Sequence, residues 1–405
     1  MNIWPIKELG KVCEFKPSKR QVRALLPAET SVSFMPMNEL GIHQMYPEPA
    51  DVRPLSEVAG SYTYFADGDV LLAKITPCFE NGKLGVARGL SNRIGFGSSE
   101  FHVLRPGPEV LAEYVYYFLE RDEIRERGSK AMTGAVGHRR VPEEFLEGLK
   151  IPVPPLEEQR RIVAVLDEAF AAIATATANA ETNLANARDL FASELESLLE
   201  TGGDDWTERP IGEVCKFIGG SQPPKAVFSA EAADDRIRLI QIRDYKSDRY
   251  KVFIPRKLAK RFCSPDDVMI GRYGPPLFQI LRGIEGAYNV ALMKASPNAD
   301  LISKDFLYFF MRNKRLLNYI IAASSRAAGQ IGLTKETLEP YPIRYPKLTS
   351  QAKIVDQLSE LEARAAVLMR VQRRKLEALT ALKQSLLHRA FTDALTATAP
   401  EAIAA

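Results

Sequence analysis

The stretch Ile151-Pro-Val-Pro-Pro-Leu-Glu-Glu-Gln-Arg-Arg-Ile-Val163 separates two kinds of sequence. Its prolines stop any preceding element, and from Leu156 to Thr201 the chain contains neither proline nor glycine. Apolar residues recur there at spacings of mostly three, four or seven, which predicts one long helix with an apolar stripe. The residues of the stripe are Ile162, Leu166, Phe170, Ile173, Leu184, Leu190, Leu195 and Leu198.

The second half of the chain repeats this pattern. Ile343-Arg-Tyr-Pro-Lys-Leu348 leads to Gln351, and no proline or glycine occurs from Ser350 to Phe391. Helices of this length extend on the order of 60 Å, which is more than a domain of ordinary size can cover. We therefore expect the two apolar stripes to face each other as an antiparallel coiled coil. The alternative, in which each helix packs on its own domain, remains open at this point.

Four more matches occur in the same order in both halves, which indicates a tandem duplication with a domain-sized unit. The matched pairs are Leu9-Gly-Lys-Val-Cys-Glu-Phe15 with Ile211-Gly-Glu-Val-Cys-Lys-Phe217, Asp69–Lys74 with Asp267–Arg272, Tyr114–Leu119 with Phe306–Met311, and Gly134–Gly137 with Gly329–Gly332.

Each repeat begins with short β-type runs punctuated by glycine and proline, together with an apolar helix. This mixture predicts an α+β (mixed α/β) fold, with two tandem domains and two long antiparallel helices in pseudo-two-fold symmetry. The predicted boundaries are a first domain at 1–155, a helix at 156–201, a second domain at 202–347, a helix at 348–393 and a flexible tail at 394–405.

Composition excludes several classes of protein. The 405 residues carry a net charge of +3, and the N-terminus lacks the pattern of a signal peptide. We expect no apolar run long enough to cross a bilayer, and therefore a cytoplasmic protein. Four widely separated cysteines indicate neither a disulfide framework nor a zinc site. Neither a phosphate-binding loop nor the Asn-Pro-Pro-aromatic motif of adenine methyltransferases is present, so we expect no catalytic activity and no metal.

A basic segment of the second repeat is the strongest signal for a nucleic-acid partner. Between Arg236 and Arg261, ten basic residues stand against two acidic ones, with Tyr245, Tyr250 and Phe253 interleaved. Basic and aromatic side chains in this mixture suit phosphate contact and reading of base edges, which predicts binding to double-stranded DNA. The predicted contacts from this segment are Arg243, Lys246 and Arg249.

Two stretches of the first repeat resemble a known family. Leu71–Ala87 and Gly95–Pro106 look like the target-recognition domain of type I restriction-modification specificity subunits, and Ile151–Val163 looks like the start of that family's helical spacer. The resemblance spans essentially the whole chain. It implies a non-catalytic subunit that reads a bipartite, asymmetric DNA site, in a complex with two methyltransferase subunits and with restriction (translocase) subunits. The cofactors S-adenosylmethionine and ATP with Mg²⁺ are then expected in those partners and not in this chain.

The resemblance also implies site residues. DNA contacts in the first domain are expected at Lys74, Lys83, Arg88, Arg93, Arg139 and Arg140, and the analogous positions of the second are Arg272, Tyr273, Gln279 and Arg282. Methyltransferase contacts are expected at Glu157, Gln159, Arg160 and Gln351. The second repeat departs from the family's pattern, because Lys347 stands where the first repeat has Pro155 and the Thr76–Lys83 tract has no close copy.

Two other functions compete with this interpretation. A stand-alone DNA-binding regulator would also be basic and duplicated, although such a protein typically shows a compact reader such as a helix-turn-helix. A coiled-coil adaptor would explain the helices but leaves two basic domains without a purpose. Tight co-purification with a methyltransferase would distinguish the first function from both.

Overall fold

A computed structural model describes residues 4–135, 137–203, 205–274, 276–326 and 333–392. The matched segment Gly329–Gly332 and the predicted tail 394–405 lie outside these residues. The chain divides into one unit of Met1–Ala180 with Arg374–Ala405 and another of Glu181–Arg373. The first unit is therefore discontinuous in sequence, since it takes up the end of the second predicted helix.

Residues Met1–Ala180 supply ten strands and the first seven helices. The strands are β1 (Ile6–Glu8), β2 (Cys13–Phe15), β3 (Ser31–Met35), β4 (Asp51–Pro54), β5 (Thr63–Ala66), β6 (Val70–Ala73), β7 (Leu84–Val86), β8 (Ile94–Gly97), β9 (Phe101–Pro106) and β10 (Lys150–Pro152). The helices are α1 (Leu9–Val12), α2 (Arg20–Leu25), α3 (Leu55–Val58), α4 (Ala112–Leu119), α5 (Asp122–Ala131), α6 (Glu143–Glu147) and α7 (Leu156–Glu200), the last of which continues into the second unit.

The second unit follows the same plan. Its strands are β11 (Thr207–Pro210), β12 (Cys215–Gly219), β13 (Arg236–Ile240), β14 (Phe253–Pro255), β15 (Phe262–Cys263), β16 (Val268–Gly271), β17 (Gln279–Leu281), β18 (Gly286–Tyr288), β19 (Leu292–Pro297) and β20 (Pro342–Tyr345). Its helices are α8 (Ile211–Val214), α9 (Lys304–Met311), α10 (Lys314–Arg326), α11 (Lys335–Leu338) and α12 (Leu348–Ala390), whose end belongs to the first unit.

The sheet topology of the two units is identical. The first has four-stranded sheets in the orders β2-β9-β6-β7 and β4-β3-β8-β5, and the second has β12-β19-β16-β17 and β14-β13-β18-β15. Both contain one parallel pair, β3 with β8 and β13 with β18. In each domain the first strand pairs with the last, β1 with β10 and β11 with β20, just before a long helix begins. The mixed α/β fold with duplicated sheet domains is thus confirmed.

The first matched motif is explained by a close contact that only glycine permits. A Cβ atom on Gly10 would lie 3.0 Å from the Cβ of Glu147, and one on Gly212 would lie 2.9 Å from the Cβ of Glu339. In each unit a short helix at the start of the domain therefore packs tightly against a short helix near its end. The repeated Gly after Leu9 and Ile211 keeps that contact in both copies.

A buried aromatic helix joins each domain to segments of both long helices. In the first unit Tyr114 and Phe118 of α4 share a core with Ile162 and Leu166 of α7 and with Leu387 and Phe391 at the end of α12. In the second unit this core contains Phe306 and Phe310 of α9, Leu358 of α12, and Leu195 and Leu199 of α7.

Within each unit the beginning of one long helix therefore lies beside the end of the other. The Lys383 ammonium lies 5.2 Å from the centre of the Phe170 ring in the first unit. In the second unit Leu190 and Leu198 of α7 line the same groove as Leu361 of α12. The two packing alternatives left open by the sequence thus coexist, because each helix segment contacts its domain and a segment of the other helix.

The expectation that no segment has the length and composition of a membrane helix is wrong for α7. Its most apolar 18-residue window has a mean hydropathy of 1.4. The cause is its alanine content, since only Glu181 is charged between Glu168 and Arg188. A single helix of this length and composition is weak evidence for a membrane segment.

Candidate nucleic-acid interface

The basic segment of the second unit folds into β13, two 3-10 turns (Ile242–Tyr245 and Asp248–Tyr250), β14 and a third 3-10 turn (Arg256–Leu258). The buried carboxylate of Asp244 accepts a hydrogen bond from the Gln241 amide at 2.8 Å, which caps the first turn. Burial raises the pKa of Asp244, against the effect of the Gln241 amide and of Arg238. Asp244 therefore shapes the backbone that carries the basic side chains.

The two acidic residues of this segment neutralise only part of its positive charge. Asp248 pairs with Arg238 at 3.0 Å and with Lys251 at 2.9 Å. In the described part of the chain, no carboxylate forms a salt bridge with Arg243, Lys246 or Arg249. These three predicted DNA contacts are exposed and keep their charge available for phosphate.

Tyr250 organises two of these cations. Its ring is 54% exposed and lies 5.6 Å from the Arg243 guanidinium and 5.3 Å from that of Arg249. An arginine stacked on an aromatic face is held in a restricted orientation, and an exposed aromatic ring is itself a surface on which a base can stack. We refer to Arg243, Lys246, Arg249 and Tyr250 as the basic turn cluster.

In the first unit, Lys74, Arg139 and Arg140 gather where the residues after β6 meet the loop that follows α5. The Thr76 amide donates to the Arg139 carbonyl at 2.9 Å, and Ile75 forms a β-bridge with Arg140. Arg140 donates two hydrogen bonds to Glu100, at 2.9 and 2.8 Å, which lower the pKa of that carboxyl. Lys74 is half-buried, and burial lowers its pKa.

Other predicted residues of the first unit are more accessible. The Arg93 side chain is 84% exposed and lies 3.7 Å from Asp67. Arg88 is exposed and its guanidinium lies 5.0 Å from the centre of the Tyr46 ring. Arg139 is also accessible, although Glu80 lies 3.8 Å away. Arg140 is as exposed as Arg139, with 45% of each side chain accessible, but its guanidinium is hydrogen-bonded to Glu100. Arg88, Arg93 and Arg139 are therefore the exposed cations of the first unit with looser contacts.

The Lys83 ammonium is held within the fold, which argues against its predicted role as a DNA contact. Its ammonium donates to the carbonyl oxygens of Met37 at 2.7 Å and Leu40 at 2.9 Å, with Asn38 at 3.5 Å. These contacts use the donors of the ammonium group to hold the 37–40 loop. None of the three acceptors is near in sequence, so the pattern around Lys83 could not show them.

Replacing Lys83 by alanine is expected to lower the free energy of unfolding by about 1–3 kcal/mol, because the loop carbonyls lose their donor. The DNA affinity of the folded fraction should stay within about twofold. Thermal unfolding and a binding titration on the same sample measure both quantities. A loss of affinity at unchanged stability would return Lys83 to the DNA interface.

Arg272 and Arg282 of the second unit, two further predicted DNA contacts, each pair with groups of the protein, and Arg282 does so at the surface. The Arg272 Nε donates to the Leu333 carbonyl at 2.9 Å and its Nη1 to the Val290 carbonyl at 3.3 Å. Arg282 pairs with Asp305 at 2.7 Å and stacks on Tyr308. Of the neighbouring predictions, Tyr273 is exposed, and the Gln279 amide donates to the Pro276 carbonyl at 3.1 Å.

Gln159 and Gln351 are fully buried, which argues against their predicted role as methyltransferase contacts. The Gln159 Oε1 accepts from the Leu111 amide at 2.9 Å, and its Nε2 donates to the carbonyls of Glu109 and Pro154. Gln351 makes the same three hydrogen bonds, with the Ser303 amide and the carbonyls of Leu301 and Pro346. Each glutamine fastens the first turn of a long helix to its domain. The other two predicted contacts, Glu157 and Arg160, are exposed on α7.

Sequence reasoning missed two aromatic partners of the cations. Tyr250 was one of several interleaved aromatics, and only the turn Asp248–Tyr250 places it next to both Arg243 and Arg249. Tyr46 lies far along the chain from Arg88, and its hydroxyl donates to Glu113 at 2.9 Å. The alternation of basic and aromatic residues was the only sequence signal for Tyr250, and no sequence signal pointed to Tyr46.

Comparison with known proteins identifies the family. The model of the type I restriction modification DNA specificity domain matches the chain twice, over residues 2–183 and 203–378. The chain belongs to this DNA specificity family. The two matches each cover one copy of the duplicated topology and much of the long helix that follows it.

Curated members of the specificity family are similar over part of their length. The type I restriction enzyme EcoEI specificity subunit of Escherichia coli is 34% identical over 52% of this chain, and the EcoAI specificity subunit of the same organism is 32% identical over 58%. These alignments span only 34% and 38% of the two relatives. The putative MjaX specificity subunit of Methanocaldococcus jannaschii is 22% identical over 79% of this chain and 77% of its own length.

Solved structures of the family show the same fold. A chain from a study of complex assembly and conformational transition in the type I R-M system has a TM-score of 0.78 at 19% identity, with 97% of this chain and 98% of that chain covered. The HsdS subunit from Thermoanaerobacter tengcongensis has a TM-score of 0.60 at 20% identity, with 97% of each chain covered.

Proposed function

We propose that this chain is the DNA sequence-specificity subunit of a type I restriction-modification complex. Each of its two domains would read one part of a bipartite, asymmetric DNA site. The observation that carries the proposal is that one topology occurs twice while its basic surfaces differ. The second unit has the basic turn cluster, and the first has Arg88, Arg93 and Arg139 on other elements. Two domains with the same sheet topology but different basic surfaces are suited to read two different half-sites.

The chain would act without chemistry of its own and would dock two methyltransferase subunits, with restriction subunits added for cleavage. Glu157 and Arg160 support a docking role for the long helices, because both are exposed on the first turns of α7. S-adenosylmethionine, ATP and Mg²⁺ would belong to the partner subunits. The proposed compartment is the cytoplasm, where the DNA is.

Replacing residues 210–340 by the equivalent segment of another family member is expected to change one half of the methylated motif and to leave the other half unchanged. The physical reason is that this segment contains the two four-stranded sheets and the basic turn cluster of the second unit but none of the sheets of the first. Methylated adenines would be mapped by long-read sequencing in a host that also expresses the methyltransferase subunit. A change in both half-sites would contradict modular reading.

Affinity purification separates this function from the stand-alone regulator and the adaptor. The chain is expected to co-purify with a methyltransferase subunit and to bind specific DNA much more tightly in that complex than alone. The purified chain by itself should neither methylate nor cleave DNA. Specific, tight binding by the chain alone would favour the regulator, and a complex that binds no DNA would favour the adaptor.

A further inference from the structure

Three structurally matched positions carry the same kinds of side chain in both units, but in a different order. The pairs of positions are Glu120 with Arg312, Phe170 with Glu362, and Phe191 with Lys383, each separated along the chain by the interval between Gln159 and Gln351. In each unit the first position is the C-terminal cap of the aromatic helix, α4 or α9. The second lies on the long helix that begins in the unit, and the third on the one that ends there.

In the first unit the cap position is an anion and the third position is a cation. The Glu120 carboxylate is 1% exposed and accepts a hydrogen bond from Lys383 at 3.1 Å, while Lys383 lies 5.2 Å from the centre of the Phe170 ring. His43 also contacts Glu120, and Arg125 lies 3.9 Å from it. Burial opposes ionisation of Glu120, but the hydrogen bond from His43 and the charge of Lys383 outweigh it and lower its pKa.

In the second unit the cap position is a cation and the second position is an anion. The Arg312 Nη1 lies 2.7 Å from the Glu362 carboxylate, in an ion pair. The guanidinium also lies 4.9 Å from the centre of the Phe191 ring, and it stacks on Tyr308 of its own domain. Each set of three positions thus contains one ion pair and one contact between its cation and its aromatic ring.

The ion pair of the first unit joins the two halves of the chain, whereas both members of the ion pair in the second unit belong to the C-terminal half. In the first unit the anion belongs to residues 1–202 and its lysine to residues 203–405. If two copies of the N-terminal half paired with each other, Phe191 would take the place of Lys383, and the buried Glu120 would keep only His43 and Arg125. If two copies of the C-terminal half paired, Lys383 would join Arg312 and Glu362 and leave an uncompensated cation. Removing one partner of a buried pair is strongly unfavourable.

We propose that these six residues make the pairing of the two halves heterotypic, so that each half binds the other and rejects a second copy of itself. Only the mixed pair is charge-matched at both ends. This selectivity is independent of the proposed DNA function. In other helical assemblies, polar residues likewise exclude wrong partners, because the wrong pairing leaves a charge or polar group without its partner. Its consequence is that each half pairs with the unlike half and not with the like half of a second chain.

The test begins with the intact chain, with a protease site inserted in the connection 201–206 between α7 and β11. The folded protein is cleaved, the halves are separated by mild denaturant and then allowed to re-pair, and native mass spectrometry counts the three kinds of pair. The natural sequence is expected to give almost only mixed pairs. The variant Phe191→Lys/Lys383→Phe, in which like halves are matched and unlike halves are not, should raise the ratio of like to mixed pairs by about tenfold or more.

A milder variant covers the case in which that exchange of residues prevents folding. Glu120→Gln/Lys383→Met removes the charge mismatch from every pair with little change in volume, and it should also raise the proportion of like pairs. The matched control is Glu123→Gln/Arg127→Met, which removes an exposed ion pair within one half and should leave the distribution unchanged. Identical distributions for the natural chain and both test variants would overturn the proposal.

The uncut chain provides a measurement that does not depend on re-pairing. The effects of Glu120→Gln and Lys383→Met on unfolding should be strongly non-additive, since each removes the partner of the other. Purely additive effects would show that the two residues are not energetically coupled, and would likewise overturn the proposal.

Discussion

Replacing Gln351 by leucine is expected to destabilise the second unit by about 3 kcal/mol, because one backbone amide and two backbone carbonyls lose the buried side chain that is their hydrogen-bond partner. For a unit of this size, that corresponds to a fall in melting temperature of about 6–12 °C. Gln159→Leu should have an equal effect on the first unit, since its three hydrogen bonds are the same. Leucine nearly conserves the side-chain volume, so the loss reports the hydrogen bonds and not a cavity.

Calorimetry of the two variants measures these effects unit by unit. Gln357→Leu is the matched control, because Gln357 lies on the same helix as Gln351 but is exposed, and it should change stability by less than about 0.5 kcal/mol. A methyltransferase that binds less well to a stable Gln351→Leu chain would contradict the structural role and restore the interpretation as a docking residue.

The double variant Arg243→Ala/Arg249→Ala is expected to weaken specific DNA binding of the methyltransferase complex by at least about 2 kcal/mol, or about 30-fold. If both arginines contact phosphates, the dependence of DNA affinity on salt should also become weaker. The negative slope of log affinity against log salt should then shrink in magnitude by about 2. Tyr250→Ala should weaken binding through the loss of the ring on which both arginines stack, whereas Tyr250→Phe keeps the ring and should bind normally.

A suitable control is Arg209→Ala, which removes an exposed arginine of the same unit on β11, outside the basic segment. It should leave both the affinity and the salt slope nearly unchanged. Equal losses in the control and in the double variant would show a general effect of charge and would contradict a local role for the basic turn cluster.

Much of the fold follows from local sequence. The prolines at Pro152, Pro154 and Pro155 and the uninterrupted helical pattern after them lead to α7, and the matched motifs lead to two copies of one topology. The residues that pack on each apolar stripe cannot be predicted in this way, because the periodicity identifies the apolar face of a helix but not the segment that covers it. The packing of Leu387 and Phe391 in the first unit's core is the clearest example.

The candidate site was less predictable, because the charge of a side chain says nothing about distant partners. Arg140 meets Glu100, and Arg272 meets the carbonyl of Leu333, far along the chain in each case. Gln159 looked like a surface residue in a run of charged neighbours, yet the backbone groups of the domain require it. The basic turn cluster was more predictable, because its residues are close in sequence.

The discontinuity of the first unit has a consequence for the order of events on the ribosome. Residues 181–373 are complete while the end of α12 is still being synthesised, so the second unit can finish folding first, although its domain is made later. The first domain must wait for partners such as Gln384, which accepts from the Asp122 amide across 262 residues of chain. A truncation just after residue 373 would therefore damage the first unit, whose domain is made first, while sparing the second.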